Sequence, residues 1–300
     1  MDITPESIEA GFAEHGFVAT GELATTLYLA ERLGKPLLLE GPPGVGKTEV
    51  GKLWAKLHEA ELIRLQCYEG LDEAKALYEW SYGKQMLYAQ LLRDKTGELI
   101  EGATDLKTAV RALKGQTDEF FSREFLLPRP LLAAITATRP VVLLIDEIDR
   151  ADEEFEAFLL EVLSDAQVSI PELGTFRAER PPRVVLTSND SRDLSDALRR
   201  RCLYLHLDYP DFDEELRIVA NRVPGIDESL REQLVRFTQS VRKTSLRKRP
   251  GIAETIDWAL ALVAVGAEGL SPPTLKKTLG ALLKNQEDLE RVLADIPRVR

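Results

Sequence analysis

Only two cysteines occur, Cys67 and Cys202, far apart and without CxxC spacing. That scarcity excludes a disulfide framework and gives no support for a zinc site; it suits structural thiols in a reducing cytosol. Histidine is also scarce: His15, His58 and His206 show no ligand spacing and read as ordinary core or surface residues. Basic residues are in deficit, 39 Lys and Arg against 50 Asp and Glu, a formal net charge of -11. A chain this acidic is not built mainly to coat nucleic acid, although it leaves room for a local basic groove. No apolar run approaches the roughly 20 residues of a membrane-spanning helix. The opening "MDITPESIEAGF" lacks the basic start and apolar run of a signal peptide. A soluble, cytoplasmic protein without membrane insertion is the expectation. Internal repeats and low-complexity tracts are not visible.

What is present is organised around short, continuous apolar runs. "KPLLLEG" places a strand at 36–39, "PVVLLID" one at 140–146 and "RVVLTSN" one at 183–189; "LIRLQC" and "CLYLHLDYP" are weaker strand candidates. Runs without alternation indicate strands buried on both faces, as in a parallel sheet flanked by helices. Residues 20–33 read as an amphipathic helix ended by Gly34. In "ADEEFEAFLLEVLSD" the apolar positions Phe155, Phe158, Leu159, Val162 and Leu163 follow helical spacing, and the next segment, with Gly174 between two β-prone pieces, reads as a hairpin. Trp54, Trp80 and Trp258 fall in text that reads as helix, where packing is their expected role. Past Tyr209 the text is helical, which places a domain boundary near Pro210: an α/β unit over 1–210 and an all-helical one over 211–300.

The chemistry begins at "EGPPGVGKTEV". Gly41-Pro42-Pro43-Gly44-Val45-Gly46-Lys47-Thr48 fits GxxxxGK[ST], directly after a strand and at the start of a helix. Glycines let successive backbone N–H groups curl around phosphate oxygens, and the helix N-terminus adds its positive dipole end. A triphosphate is the ligand this requires. Lys47 would reach the outer phosphates and Thr48 would complete the shell of a magnesium ion; Glu49, in the first helical turn, completes the nucleotide-binding set. Asp146, at the end of the second apolar strand, stands where a magnesium ion bound to the loop would need a carboxylate behind its direct ligands, and the adjacent Glu147 suits polarisation of a water for attack on the γ-phosphate. Asp149 and Asp152 read instead as caps of the following helix. Asn189, ending the third strand, could hold that water. Arg199, Arg200 and Arg201 read either as a solvated or salt-bridged set or as containing one arginine that reaches a neighbouring subunit's γ-phosphate.

These residues resemble AAA+ ATPases, and within them the MoxR branch. "LLLEGPPGVGKT", "LIDEIDRADEEFEAFLLEVLSDAQVSI" and "LTSNDSRDLSDALRRRC" are similar to that branch's nucleotide loop, acidic motif with helix and hairpin, and sensor strand with arginine-finger helix. "LPRPLLAAI" and "RKRPGIAETIDWALAL" are similar to the type that accompanies maturation of molybdenum carbon monoxide dehydrogenase. The resemblance implies a P-loop NTPase core of αβα type with a parallel sheet, plus a C-terminal helical lid. It implies ATP and Mg2+ at the interfaces of a ring, expected to be a hexamer. It also implies a chaperone-like role on a metalloenzyme client with a partner carrying a von Willebrand factor A domain. Arg201 becomes the first candidate for the finger and Arg200 the second; Asn189 matches sensor 1. The hairpin at 168–180 and "LQCYEGLDEAKALYEWSYGKQ" become the two inserts that face clients. The branch usually has Asn where Asp149 stands, which leaves the chemistry intact, and the lid arginine called sensor 2 falls on Arg249. Two rivals stand beside this reading: a DNA-acting motor or loader, and a nucleotide-switched binding module.

Overall fold

The computed structural model describes residues 3–88, 90, 123–170 and 173–295. Two helices open the chain, α1 (Pro5–Ala13) and α2 (Gly21–Leu33). Thr20 caps α2 by accepting the Leu23 N–H, and Gly34 closes it at φ 61°. Then follow β1 (Leu37–Glu40), α3 (Lys47–Leu57) and β2 (Glu61–Gln66). A short helix α4 (Glu73–Leu77) leads into β3 (Tyr78–Trp80), which pairs antiparallel with β4 (Leu126–Pro128). The excursion "LLRDKTGELIEGATDLKTAVRALKGQTDEF" lies outside the described residues. Next come α5 (Pro130–Thr136), β5 (Val141–Asp146) and α6 (Glu153–Asp165), and then the antiparallel hairpin of β6 (Gln167–Ile170) and β7 (Gly174–Arg177). β8 (Arg183–Ser188), α7 (Asp196–Arg201) and β9 (Leu203–His206) complete this part.

The five strands form one parallel sheet in the order β2-β5-β8-β1-β9. Period-two alternation within the apolar runs feeds two cores: Leu37, Leu39, Val142 and Leu144 pack with α1, α2 and α3, while Leu38, Leu143 and Ile145 pack with α5 and α6. Each such leucine, removed from water, contributes about 1.5–3 kcal/mol. The weaker candidate "LIRLQC" is an edge strand, exposed along most of its length, which is why its sequence carries Arg64 and Gln66 among apolar residues.

Trp80 departs from the helical reading. It lies on β3, two residues from Tyr78, so that the two rings share a face and meet edge-on with centroids 5.6 Å apart. Asp152 caps α6 through the Phe155 N–H, but Asp149 does not; it is drawn away to Ser191.

From residue 212 the described chain is helical: α8 (Phe212–Arg222), α9 (Glu228–Arg242), α10 (Ile252–Ala264), α11 (Pro272–Thr278) and α12 (Gln286–Asp295). These surround their own apolar cluster, with Leu234, Trp258, Leu262 and Leu279 fully buried. At its margin a buried ion pair joins three helices: Arg242 donates to both oxygens of Glu215 at 2.6 and 2.7 Å, Thr255 and Gln239 donate to the same carboxylate, and Arg242 Nε donates to the Pro250 carbonyl. Removing one partner strands a charge in a dry site. Arg242→Met is expected to cost about 3–5 kcal/mol in a denaturant melt, most of it recovered in the Arg242→Met, Glu215→Leu double variant.

Candidate functional site

β1 delivers the chain to the glycine-rich loop. At Gly41, φ is 149°, and a Cβ would sit 2.0 Å from the carbonyl oxygen of Leu207, the residue that extends β9 by bonding back to Glu40. Only glycine fits between the first strand and its neighbour. Beyond the loop, α3 begins with Lys47, whose Nζ is buried and donates to the Gly41 and Pro42 carbonyls at 2.7 and 2.8 Å. Burial pushes its pKa down to about 8, against the upward pull of Asp149, Asp146, Glu147 and Glu40. A phosphate oxygen would compete with these two carbonyls as acceptor for the ammonium.

Asp146 ends β5 with 2% of its surface exposed and is saturated with donors. Thr48 Oγ1 donates at 2.9 Å and Thr187 Oγ1 at 2.5 Å to Oδ1, while Arg64 Nε and Nη2 reach Oδ2 at 3.0 and 2.5 Å. Thr187 in turn accepts the Glu147 N–H. Glu147 has a left-handed backbone, φ 57° and ψ 49°, uncommon for a residue with a Cβ, and the turn aims its carboxylate across the strand ends. Gln66 and Arg150 hold that carboxylate at 3.0 and 2.9 Å. Asn189 follows β8 on a loop anchored by two buried acids: Asp149 accepts from the N–H and Oγ of Ser191, and Glu156 from Arg192 and the Ser195 N–H. Burial alone would raise the Asp149 pKa, but those bonds and backbone N–H groups outweigh it and hold the carboxyl below its ordinary range.

Pro43, Gly44, Gly46, Lys47, Thr48, Glu49, Asp146, Glu147, Thr187 and Asn189 share a cleft of about 460 Å³ with Arg222, Ile252, Ala253 and Ile256 of the helical part. Next to it is an apolar cavity of about 140 Å³ lined by Phe17, Val18, Leu207, Pro210 and Ile218. Phosphates on one side and a flat apolar ring on the other is what this pair of spaces can take. Helix α10 meets the loop through backbone: Ile252 N–H donates to the Gly44 carbonyl at 2.9 Å, and a Cβ on Gly251 would lie 2.8 Å from Gly44 Cα. Arg249 is exposed and is not among the cleft-lining residues, whereas Arg222 lines both spaces. A larger cavity, about 640 Å³, lies at the opposite ends of the strands and contains none of the loop residues.

The three arginines of α7 separate. Arg199 reaches back to the buried Glu40 with two bonds, 2.9 and 3.1 Å, which Tyr204 supplements, so it belongs to the salt-bridged reading. Arg200 and Arg201 are exposed at the end of the helix that precedes β9, and Arg201 Nε donates to Ser164. Since Leu203 pairs with Leu37 and the loop follows Glu40, these two stand at the far end of β1 from their own phosphate site.

Oxygen donors from Thr48 and Asp146, touching each other beside a phosphate-type loop, fit Mg2+. Among the described residues no group of three His, Cys, Asp or Glu could hold a metal, so the cation would be shared with the nucleotide.

Residues 36–202 match the family described as AAA domain (dynein-related subfamily). The chain belongs to that family. Denitrification regulatory protein NirQ of Pseudomonas aeruginosa is 23% identical over 263 residues, 85% of each chain. An uncharacterized protein of Staphylococcus aureus is 24% identical over 219 residues, 71% of this chain and 70% of its own. A mutant of Thermotoga maritima RuvB shares the fold with a TM-score of 0.51 at 20% identity, over 93% of this chain and 71% of that one. The AAA domain accounts for the nucleotide loop, the acidic strand end and β8. No helix of the described residues is long and apolar enough to cross a membrane.

Sequence reasoning missed Arg64, Gln66, Thr187 and Arg222. A charged residue inside a strand of a parallel sheet was a legible signal for Arg64, but its partner lies on another strand, 82 positions away.

The Lys47 environment has a pH consequence. A bound phosphate would raise the lysine pKa above about 8, so the protonated form is the one expected to bind. Nucleotide affinity should be level below pH 8 and fall above it, by up to about tenfold per unit. Calorimetry in buffers of different ionisation enthalpy should show proton uptake on binding near that pH.

Proposed function

We propose that this AAA protein is a MoxR-type ATPase that couples Mg-ATP hydrolysis to remodelling, activation or metal-cofactor maturation of a client protein. The observation that carries the hydrolytic part is Glu147, set by a left-handed turn directly after the Asp146–Thr48 pair and lining the same cleft as Asn189. A binding module that never turns over has no use for that carboxylate.

The roles follow from the contacts. Loop N–H groups and Lys47 hold the phosphates. Thr48 and Asp146 hold Mg2+, which when bound neutralises charge on the phosphate oxygens. Glu147 leaves Gln66 and Arg150 to take the proton of a water that Asn189 orients. Arg201, or Arg200 beside it, acts on the nucleotide of a neighbouring copy, because the far end of β1 keeps both from their own. That requirement supports a ring, for which we take six copies as the working size. The alignment with a denitrification regulatory protein over 85% of both chains supports a regulatory role; the metalloenzyme client and the von Willebrand factor A partner rest on the sequence resemblance to the MoxR branch alone. A molybdenum hydroxylase is the specific client we would test. Residues 211–300 act as the lid, tied to the loop through Gly44.

Glu147→Gln should keep nucleotide affinity and lose at least about a hundredfold in turnover, the upper range of a general base; an unchanged rate would remove Glu147 from the mechanism. Arg201→Ala should also bind and not turn over, and mixing it with Lys47→Ala subunits should restore activity at the interfaces that combine an intact loop with an intact finger. Affinity capture with Glu147→Gln in ATP against ADP tests the client: a metalloenzyme subunit held only in ATP supports maturation, whereas nuclease-sensitive complexes favour a DNA motor.

A further inference from the structure

Arg64 has no place in the roles assigned above, yet among the described residues it makes the only ion pair to the carboxylate on which the metal site depends. It stands on the edge strand β2, in register with Leu144, and reaches across to Asp146 with Nε at 3.0 Å and Nη2 at 2.5 Å from Oδ2; Nη2 also donates to Gln66. The two ends of the pair differ: the Asp146 side chain is 3% exposed, that of Arg64 48%. The carboxylate is fixed, whereas the guanidinium has a route to solvent. Four donor atoms fill Asp146: one hydroxyl each from Thr48 and Thr187, and two nitrogens of Arg64. A divalent ion served by Thr48 and Asp146 brings two further positive charges next to the guanidinium.

We propose that Arg64 competes with the metal for Asp146, lowering the site's affinity for the cation until nucleotide brings it in, and that Arg64 gives way on loading. The inference rests on the magnesium reading of Thr48 and Asp146. Its sign follows from the remaining bonds: without Arg64, Thr187 and Thr48 still orient Asp146, so the competitor is lost without freeing the carboxylate. Gln66 lies two residues along on the same strand and holds Glu147, so both acids are restrained from one edge strand.

The test is a titration of Mg2+ against binding of a fluorescent, non-hydrolysable ATP analogue to the full chain, as wild type, Arg64→Gln and Arg64→Lys. Arg64→Gln should reach half-saturation at about tenfold less metal, the scale of one charge a few ångströms from a divalent ion at a partly exposed site. Arg64→Lys, which keeps the charge, should stay near wild type. An Arg64→Gln requirement that is unchanged or higher overturns the proposal. Should that variant not fold, the wild type decides through its Arg64 Nε–H, identified in 15N spectra by its loss in Arg64→Lys. Its exchange with solvent should speed up when Mg2+ and analogue are added, and unchanged protection overturns the proposal equally. Wild-type binding indifferent to Mg2+ would instead overturn the magnesium assignment, and this inference with it.

Discussion

The Asp146 carboxylate is the fixed point of this molecule. It is buried at the end of β5, an interior strand between β2 and β8, where an unpaired charge would be costly, so the surrounding sequence is committed to supplying donors from α3, β2 and β8. Thr48 brings the phosphate loop to it. Thr187 brings the strand that carries Asn189, and through the Glu147 N–H it also sets the turn that aims the next acid. One carboxylate therefore aligns three separate segments.

A second constraint is the crowding of backbone around the loop. Gly41 leaves no room for a side chain beside Leu207, and Gly44 and Gly251 touch through their backbones. The helical part is thereby tied to the loop by a peptide hydrogen bond, not by a side chain. An arginine at Gly251 would be excluded by the same contact, and the arginine that does line the cleft, Arg222, comes from a different helix.

Much of this was legible residue by residue. The strands at 37–40, 141–146 and 183–188 announced themselves as unbroken apolar runs because a sheet covered on both faces tolerates no polar alternation. The loop motif was legible because its chemistry is local: eight consecutive residues form one cradle. The arginine trio was not, since Arg199 is distinguished from Arg200 and Arg201 only by Glu40, 159 positions earlier in the chain. Trp80 was read as helical because the helix and strand periods cannot be told apart over three residues, and pairing with β4 decides the matter.

The sequence by itself determined the family, the parallel sheet, the phosphate loop and the two acids, all of which depend on contiguous residues and their local periodicity. The tertiary structure alone decided which cations meet which acids: Arg64 with Asp146, Arg150 with Glu147, Arg199 with Glu40, and Arg222 at the cleft. Ion pairs carry no sequence period, and their partners are chosen by strand order and register, which exist only once the sheet has assembled.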